Sequence, residues 1–178
     1  GWWELQDIEG LWQWEIGQWI NTDNFDINDL GFQQRNNQQA QYAALRYQSI
    51  QPNGKFNRVE HEVWGTYRFL QKPYRYEYLS FFYRLFGLTR SFFATGADIE
   101  VRPIDSYDYF EPRQFGRWFK LPPMAEGSSF ISTDYRKKVA LDARLRGGYQ
   151  LDFDRYFYSI RVAPRFRFGD HFFAVLES

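Results

Sequence analysis

The run from Lys137 to Gln150 alternates between apolar and polar residues along its length. The odd positions from Val139 to Tyr149 are mainly apolar, whereas the even positions are mainly charged or polar. A β-strand directs successive side chains to opposite faces, so this run predicts one apolar face and one charged face. At about fourteen residues it exceeds the usual strand length and could cross a hydrocarbon layer at a tilt.

The same alternation recurs along most of the chain. Turn residues separate most of the runs, whereas two connections, 21–37 and 103–123, are long. In an antiparallel sheet both long connections fall on one side, an asymmetry that outer-membrane barrels show. About nine strands are predicted, at 8–20, 38–50, 58–70, 75–87, 89–102, 126–135, 137–150, 155–168 and 171–178.

These patterns predict an all-β fold, an antiparallel transmembrane β-barrel, as a single domain over residues 1–178. No run of about twenty apolar residues occurs, which excludes a spanning helix but not a barrel, whose apolar residues come every second position. A soluble sheet would bury its apolar face instead. We favour the membrane barrel because aromatic residues, 22% of the chain, crowd near the strand ends like interface girdles: Trp12, Trp14, Trp19, Tyr67, Phe69, Tyr76, Tyr78, Tyr156 and Tyr158.

About nine strands do not close a barrel of the bacterial single-chain type, which has an even number of strands. An open edge in lipid would leave backbone groups unsatisfied. We therefore interpret the chain as a fragment, part of a larger barrel in a Gram-negative outer membrane. Its expected surroundings are the lipid bilayer, lipopolysaccharide and other outer-membrane or surface proteins. Basic and acidic residues cancel, 22 against 22, so we expect no nucleic-acid partner.

Charged residues of neighbouring strands are expected to share the lumen face. They could form a pore that prefers anions, or a paired network that stiffens the wall. We favour the paired network because the total charge is balanced. The candidate lumen charges are Arg144, Arg146, Arg161, Arg165, Arg167, Asp142, Asp98 and Glu100.

The loop from Asn21 to Asp29 carries oxygen-bearing side chains at alternate positions. Asp23, Asp26 and Asp29 could ligate Ca²⁺. However, the loop lacks the glycine and the terminal glutamate of an EF-hand. We favour a structural role, in which the side chains hydrogen-bond to the backbone, and expect no cofactor.

A second loop region, from Glu111 to Pro123, is aromatic and basic. It could constrict the lumen, present aromatic rings to a sugar or partner, or simply be an extracellular loop stiffened by prolines. The residues expected to make contacts are Arg113, Arg117, Trp118 and Phe119.

No catalytic constellation is recognisable. The two histidines, His61 and His171, lie in separate predicted strands, and the chain has no cysteine. No Gly-x-Ser-x-Gly elbow occurs either. We therefore expect a protein that is not an enzyme.

Three ordered segments carry a family resemblance: Asn24–Phe32 followed by Arg35–Asn37, then Glu111–Arg117, and then Ser132–Lys138. They resemble an uncharacterised family of Gram-negative outer-membrane β-barrel domains, found mostly in Bacteroidota. In that family the barrel commonly follows a domain similar to family 9 carbohydrate-binding modules. Such a domain is missing from this sequence.

The resulting functional hypothesis is a non-enzymatic outer-membrane barrel. It would anchor or scaffold a surface complex or an extramembrane domain, in a role connected with glycan handling. The alternative is a small-solute pore or transporter, and a second alternative is a soluble β-sandwich that binds carbohydrate.

Overall fold

The computed structural model describes residues 1–24, 35–114, 116–152, 154–169 and 172–176. Within these ranges the chain is built from strands and turns, and no described residue is helical. The strands are β1 (Trp2–Asp7), β2 (Trp12–Asn21), β3 (Gln38–Ser49), β4 (Phe56–Leu70), β5 (Arg75–Thr89), β6 (Ala94–Arg102), β7 (Ser106–Asp108), β8 (Phe119–Leu121), β9 (Met124–Ser132), β10 (Val139–Gln150), β11 (Arg155–Arg167) and β12 (Phe173–Val175).

Ten of these strands form one antiparallel sheet in the order β1-β2-β3-β4-β5-β6-β9-β10-β11-β12. Each strand pairs with its neighbour along the chain, except that β6 pairs with β9 across the β7–β8 hairpin. The prediction of an all-β antiparallel sheet is confirmed. Among the described residues β1 and β12 lie at opposite edges and do not pair with each other, so the sheet is not closed as a barrel.

The strand boundaries differ most from the predicted ones at three places. Residues 2–7 form an edge strand that was not predicted, and the run predicted at 8–20 begins only at Trp12. The run at 89–102 begins at Ala94, because residues 90–93 make a turn. The β7–β8 hairpin was also missed, since strands of three residues are too short to show an alternation.

The strand register aligns the polar residues of successive strands on one face. One row of paired positions crosses six strands and reads Arg46, Glu62, Arg84, Asp98, Ser128 and Arg146. We call this side the polar face. Opposite charges on adjacent strands attract, so the row favours this register over a slip by one residue.

The other side, the apolar face, carries the alternate positions. Leu45 pairs with Val63, and Leu145 pairs with Ile160. These side chains are largely exposed, with Leu145 at 51% and Ile160 at 65%. Of the described elements outside the sheet, only the β7–β8 hairpin packs on it, against β5, so no described element covers the rest of the apolar face.

Side chains crowd much more closely on the polar face. Ala140 is only 2% exposed there and Ser128 only 8%. Gly96 lies under the Phe130 ring, and a Cβ at Gly96 would come within 2.5 Å of that ring. The polar face therefore has no room for larger side chains at such points.

The connections at the two ends of the strands differ in length, as predicted. The long connections 22–37 and 103–123 leave one edge together with the short ones 71–74 and 151–154. We call this the loop edge, and the opposite one, with connections 8–11, 50–55, 90–93, 133–138 and 168–172, the turn edge. No helix with the length and apolar character needed to cross a membrane is found in the described ranges.

A β-bulge in β5 redirects one side chain near the loop edge. Phe69 pairs with Tyr76 but Arg68 pairs with Tyr78, which leaves Glu77 as the extra residue. A bulge of this kind turns an additional side chain to one face of a sheet. Glu77 is 3% exposed and accepts two hydrogen bonds from Gln38 Nε2, at 3.1 and 2.9 Å.

Candidate functional site

The polar face contains a depression of about 390 Å³ that extends across β6, β9, β10 and β11. We call it the polar-face depression. Three guanidinium groups and three carboxylates line it, together with Phe82 and Ser128. Its charged residues are Arg144, Arg146, Arg161, Asp98, Glu100 and Glu126.

Most of these charges have partners within the sheet. Arg146 pairs with Glu126 at 3.3 Å. The Arg144 guanidinium donates to Ser128 Oγ at 3.2 Å, and Ser128 Oγ donates to Asp98 at 3.1 Å. These contacts join β6, β9 and β10, so they connect strands as well as line a cavity.

The eight predicted lumen charges all share this face, but the structure brings only five of them to the depression. The other three lie toward the turn edge. Asp142 accepts hydrogen bonds from Ser132 and Tyr135, both at 2.6 Å. The Arg165 guanidinium lies 4.3 Å from the Tyr135 ring centroid, and Arg167 Nε donates to the Gly169 carbonyl at 3.1 Å.

Two partners in this network were missed from the sequence. Glu126 pairs with Arg146, and Arg102 pairs with Glu100 at 3.0 Å. Glu126 stands opposite Glu100 in the register, a position that becomes visible only when the pairing of β6 with β9 is known. That pairing skips the β7–β8 hairpin and could not be derived from alternation.

At the loop edge, a network of ion pairs joins two of the connections to the sheet. Arg35 Nη2 donates to Asp108 at 3.2 Å, and its Nη1 lies 3.7 Å from Glu77. Asp108 also accepts hydrogen bonds from the N–H groups of Phe110 and Glu111, at 2.8 and 3.0 Å. Burial opposes the ionisation of Asp108, but these N–H groups and Arg35 outweigh it and hold its pKa below the usual range.

The short connection 71–74 is tied to the same edge by Asn37. The Asn37 side chain donates to the Lys72 carbonyl at 2.6 Å and accepts from the Lys72 N–H at 2.9 Å. The bond between Lys72 and Pro73 is cis. Tyr109 completes the assembly by donating to the Tyr76 carbonyl at 2.8 Å.

A cavity of about 360 Å³ lies between these connections, and we call it the loop-edge cleft. Every charged residue that lines it is a cation: Lys72, Arg75, Arg113 and Arg117. A second cavity, of about 540 Å³, shares Gln114, Gly116 and Arg117 with the cleft and adds Trp118 and Phe119. The predicted loop contacts Arg113, Arg117, Trp118 and Phe119 therefore lie around two adjoining cavities.

The structure does not show the three predicted Ca²⁺ ligands together. Asp26 and Asp29 lie outside the described residues, and Asp23 lies 3.4 Å from Lys72 Nζ. In the described ranges no group of three or more His, Cys, Asp or Glu side chains is arranged to hold a metal ion.

Two of the nine aromatic residues expected at the membrane interfaces lie on the polar face instead. The Arg68 guanidinium stacks on both of them, 5.2 Å from the Trp19 ring centroid and 4.8 Å from that of Tyr78. On the apolar face, His61 Nδ1 lies 2.8 Å from the Tyr83 hydroxyl, so the one described histidine is packed among aromatic residues.

The comparisons with known proteins place the chain in a family without adding an activity. No curated protein and no solved structure matches it. A family described as a domain of unknown function (DUF5916) matches residues 2–178. The resemblance predicted an uncharacterised family, and the matching description names neither an outer membrane nor a carbohydrate-binding neighbour. Because the match extends over nearly the whole sequence, the chain belongs to the DUF5916 family.

Proposed function

We propose that this chain forms part of the wall of a Gram-negative outer-membrane β-barrel, with its apolar face on lipid. The observation that carries the proposal is the exposed apolar face, which extends across the sheet and which no described element covers apart from the hairpin against β5. Aliphatic side chains such as Leu145 and Ile160 gain free energy only when they leave water. A surface of this extent calls for a partner, and lipid is the partner that fits a continuous sheet.

Strand length and the crowding on the polar face support the same interpretation. β4 and β5 have 15 residues each, β10 has 12 and β11 has 13. A tilted strand needs about 9–11 residues to cross the bilayer. The crowding at Gly96 and Ala140 is what a sheet that curves toward its polar face produces, as a barrel wall does around its lumen.

The two outermost strands of the sheet are open among the described residues. There β1 pairs only with β2 and β12 pairs only with β11, so neither has a further strand on its outer side. Unpaired backbone groups cost several kcal/mol each in hydrocarbon. We infer that the open sides of β1 and β12 pair with further strands when the barrel is complete.

The proposed role of the barrel is non-enzymatic, namely anchoring or scaffolding a surface complex or an extramembrane domain, with a part in glycan handling. Support comes from the loop edge, where Arg35, Asp108 and Asn37 hold the connections against the sheet. An ordered surface of this kind suits the docking of another outer-membrane or surface protein, or of lipopolysaccharide. Cross-strand partners on the polar face would keep the wall rigid beneath it.

A small-solute pore is the second candidate, and the polar-face depression favours it. The depression lines the proposed lumen with three guanidinium groups and three carboxylates. Such a balanced lining predicts weak ion selectivity if the lumen conducts. Planar-bilayer recording separates the two roles, since an anchor gives no conductance steps and a pore gives steps with little anion preference.

Labelling with a fluorophore tests the membrane assignment. The chain has no cysteine, so Ile160→Cys and Ser159→Cys each create a single labelling site on opposite faces. After reconstitution into lipid vesicles, a polarity-sensitive dye at 160 should be quenched by lipid-attached quenchers and the dye at 159 should not. Equal quenching of both dyes by a water-soluble quencher, or solubility of the folded chain without detergent, would support the remaining alternative, a soluble carbohydrate-binding β-sandwich.

A further inference from the structure

All the charged residues that line the loop-edge cleft, among those that the structure describes, are cations, and Lys72 alone of them lies near a described carboxylate, that of Asp23 at 3.4 Å. Lys72, Arg75, Arg113 and Arg117 are its charged residues. In the part of the chain that the structure describes, neither Arg113 nor Arg117 forms an ion pair. Bringing cations together around one cavity is unfavourable unless an anion neutralises them. Arg113 and Arg117 therefore offer two guanidinium groups to an anion in the cleft.

Hydrogen bonds within the connection 103–123 hold the backbone around the cleft in place. Asp108 accepts from the N–H groups of Phe110 and Glu111, and the Arg113 N–H donates to the Phe110 carbonyl at 3.0 Å. Arg113 adopts a positive φ of 53°, a conformation that non-glycine residues adopt rarely. This turn directs the chain so that Arg113 and Arg117 border the same cavity.

Aromatic rings lie next to the charges. Trp118 and Phe119 line the adjoining cavity, and both are about half exposed, at 49% and 52%. The Arg75 guanidinium, which lines the cleft, lies 5.5 Å from the Trp118 ring centroid and so connects the two cavities. Gln114 borders both cavities, and its side-chain amide has no hydrogen bond to a described residue.

We propose that the loop-edge cleft binds an acidic sugar, with its carboxylate or phosphate on Arg113 and Arg117 and its ring on Trp118 and Phe119. Guanidinium groups bind carboxylate and phosphate with two parallel hydrogen bonds. Exposed indole and phenyl faces are partly negative and pack against the C–H groups of a sugar ring. The Gln114 amide would hydrogen-bond to a sugar hydroxyl. The proposal goes beyond the barrel and does not depend on the sheet lying in a membrane.

Calorimetric titration of the full chain, in whatever detergent keeps it folded, tests the proposal. The probes are trigalacturonate and its methyl ester, which has the same rings without the charges. We expect the acid to bind at least tenfold more tightly than the ester, and its affinity to fall as salt is raised from 50 to 500 mM. Measurable binding of both acid and ester with the same affinity would overturn the proposal.

A double variant tests the assignment to these residues. Arg113→Gln with Arg117→Gln should weaken trigalacturonate binding at least tenfold, because each charged hydrogen bond is worth about a factor of ten. The matched control is Lys55→Gln with Arg90→Gln, which removes two positive charges at the turn edge and should leave binding unchanged. An equal loss in both double variants would show nonspecific attraction and overturn the proposed site. Circular dichroism checks that both variants keep the strand content of the original chain.

Two sources could provide such a ligand, and a second pair of probes separates them. Lipid A carries phosphate on a sugar headgroup, whereas a free glycan carries its acid in solution. Binding of lipid A that is lost on enzymatic dephosphorylation, with no binding of trigalacturonate, would support a membrane glycolipid as the ligand. Binding of trigalacturonate would support a free acidic glycan, and binding of neither probe would overturn the proposal without touching the barrel assignment.

Discussion

The two faces of the ten-stranded sheet meet their surroundings in different ways. On the polar face, Arg146 pairs with Glu126, and Ser128 links Arg144 to Asp98. On the apolar face, Leu145 pairs with Ile160 of the next strand, and both side chains stay mostly exposed. The polar face thus finds many of its partners within the chain, whereas the apolar face depends on its environment for stability. Substitutions on the two faces should therefore respond differently to lipid.

The largest expected effect is that of a charge on the apolar face. Leu145 lies near the middle of β10. In lipid, Leu145→Arg should destabilise the folded protein by about 2–4 kcal/mol, because the proposed contact with the bilayer would strip the new charge of its hydration. Denaturant titration of the chain refolded into vesicles measures the change in the free energy of unfolding. A cost below about 0.5 kcal/mol would indicate that this face does not contact lipid.

The next largest effect concerns the space available on each face. Gly96→Ala should cost about 1–3 kcal/mol, because the added methyl group would lie 2.5 Å from the Phe130 ring and 2.8 Å from the Leu85 carbonyl. The control is Gly65→Ala on the apolar face, where the nearest atoms belong to Phe81 at 3.4 Å. The same titration compares the two variants. If Gly65→Ala proves the more damaging, the polar face is not the crowded one.

Removal of one polar-face charge should have a smaller effect. Arg144→Leu deletes the guanidinium that donates to Ser128 but leaves the Ser128 to Asp98 hydrogen bond intact. We expect a loss of about 1 kcal/mol, the usual value of one hydrogen bond. Comparison with Leu145→Arg sharpens the distinction between the faces. A larger loss for Arg144→Leu than for Leu145→Arg would reverse the assignment of lipid and lumen.

The smallest effect is expected for an exposed ion pair on the polar face. Arg46 pairs with Glu62 across β3 and β4, and the Arg46 side chain is nearly half exposed. A double-mutant cycle with Arg46→Gln and Glu62→Gln should give a coupling free energy of about 0.2–1 kcal/mol. This coupling should shrink at high salt. A salt-independent coupling above about 2 kcal/mol would mean that the polar face is dry.

Alternation along the strands was sufficient to predict the two faces, because in a regular strand all odd positions lie on one face and all even positions on the other. The prediction failed where a bulge exchanges the faces of odd and even positions. Tyr76 and Tyr78 are two residues apart, yet the bulge at Glu77 places them on opposite faces. A bulge depends on how the partner strand pairs, which no single run of residues reveals. The assignment of Trp19 to the same face as Trp12 was wrong for a simpler reason, since one residue is at an odd and the other at an even position of the same strand.

The candidate sites were only partly accessible from the sequence. Arg144 and Arg146 could be assigned to the polar face by their position in a long strand. The loop-edge network could not be foreseen, because Arg35 and Asp108 are 73 residues apart and meet only when two connections fold onto one edge. The basic and aromatic residues from Arg113 to Phe119 were visible as a cluster, but the cavities between them require the fold of the whole connection.

The unequal connections also have a kinetic consequence. Every connection at the turn edge is short, so each pair of strands joined there can close as a local hairpin on a microsecond timescale. The two long connections, 22–37 and 103–123, divide the chain into three blocks, β1–β2, β3–β6 and β9–β12. Because the entropy cost of closing a loop grows with its length, pairing within a block should precede pairing between blocks. Assembly of the sheet would then proceed as the docking of three preformed ribbons, with the junction of β6 and β9 among the last contacts to form.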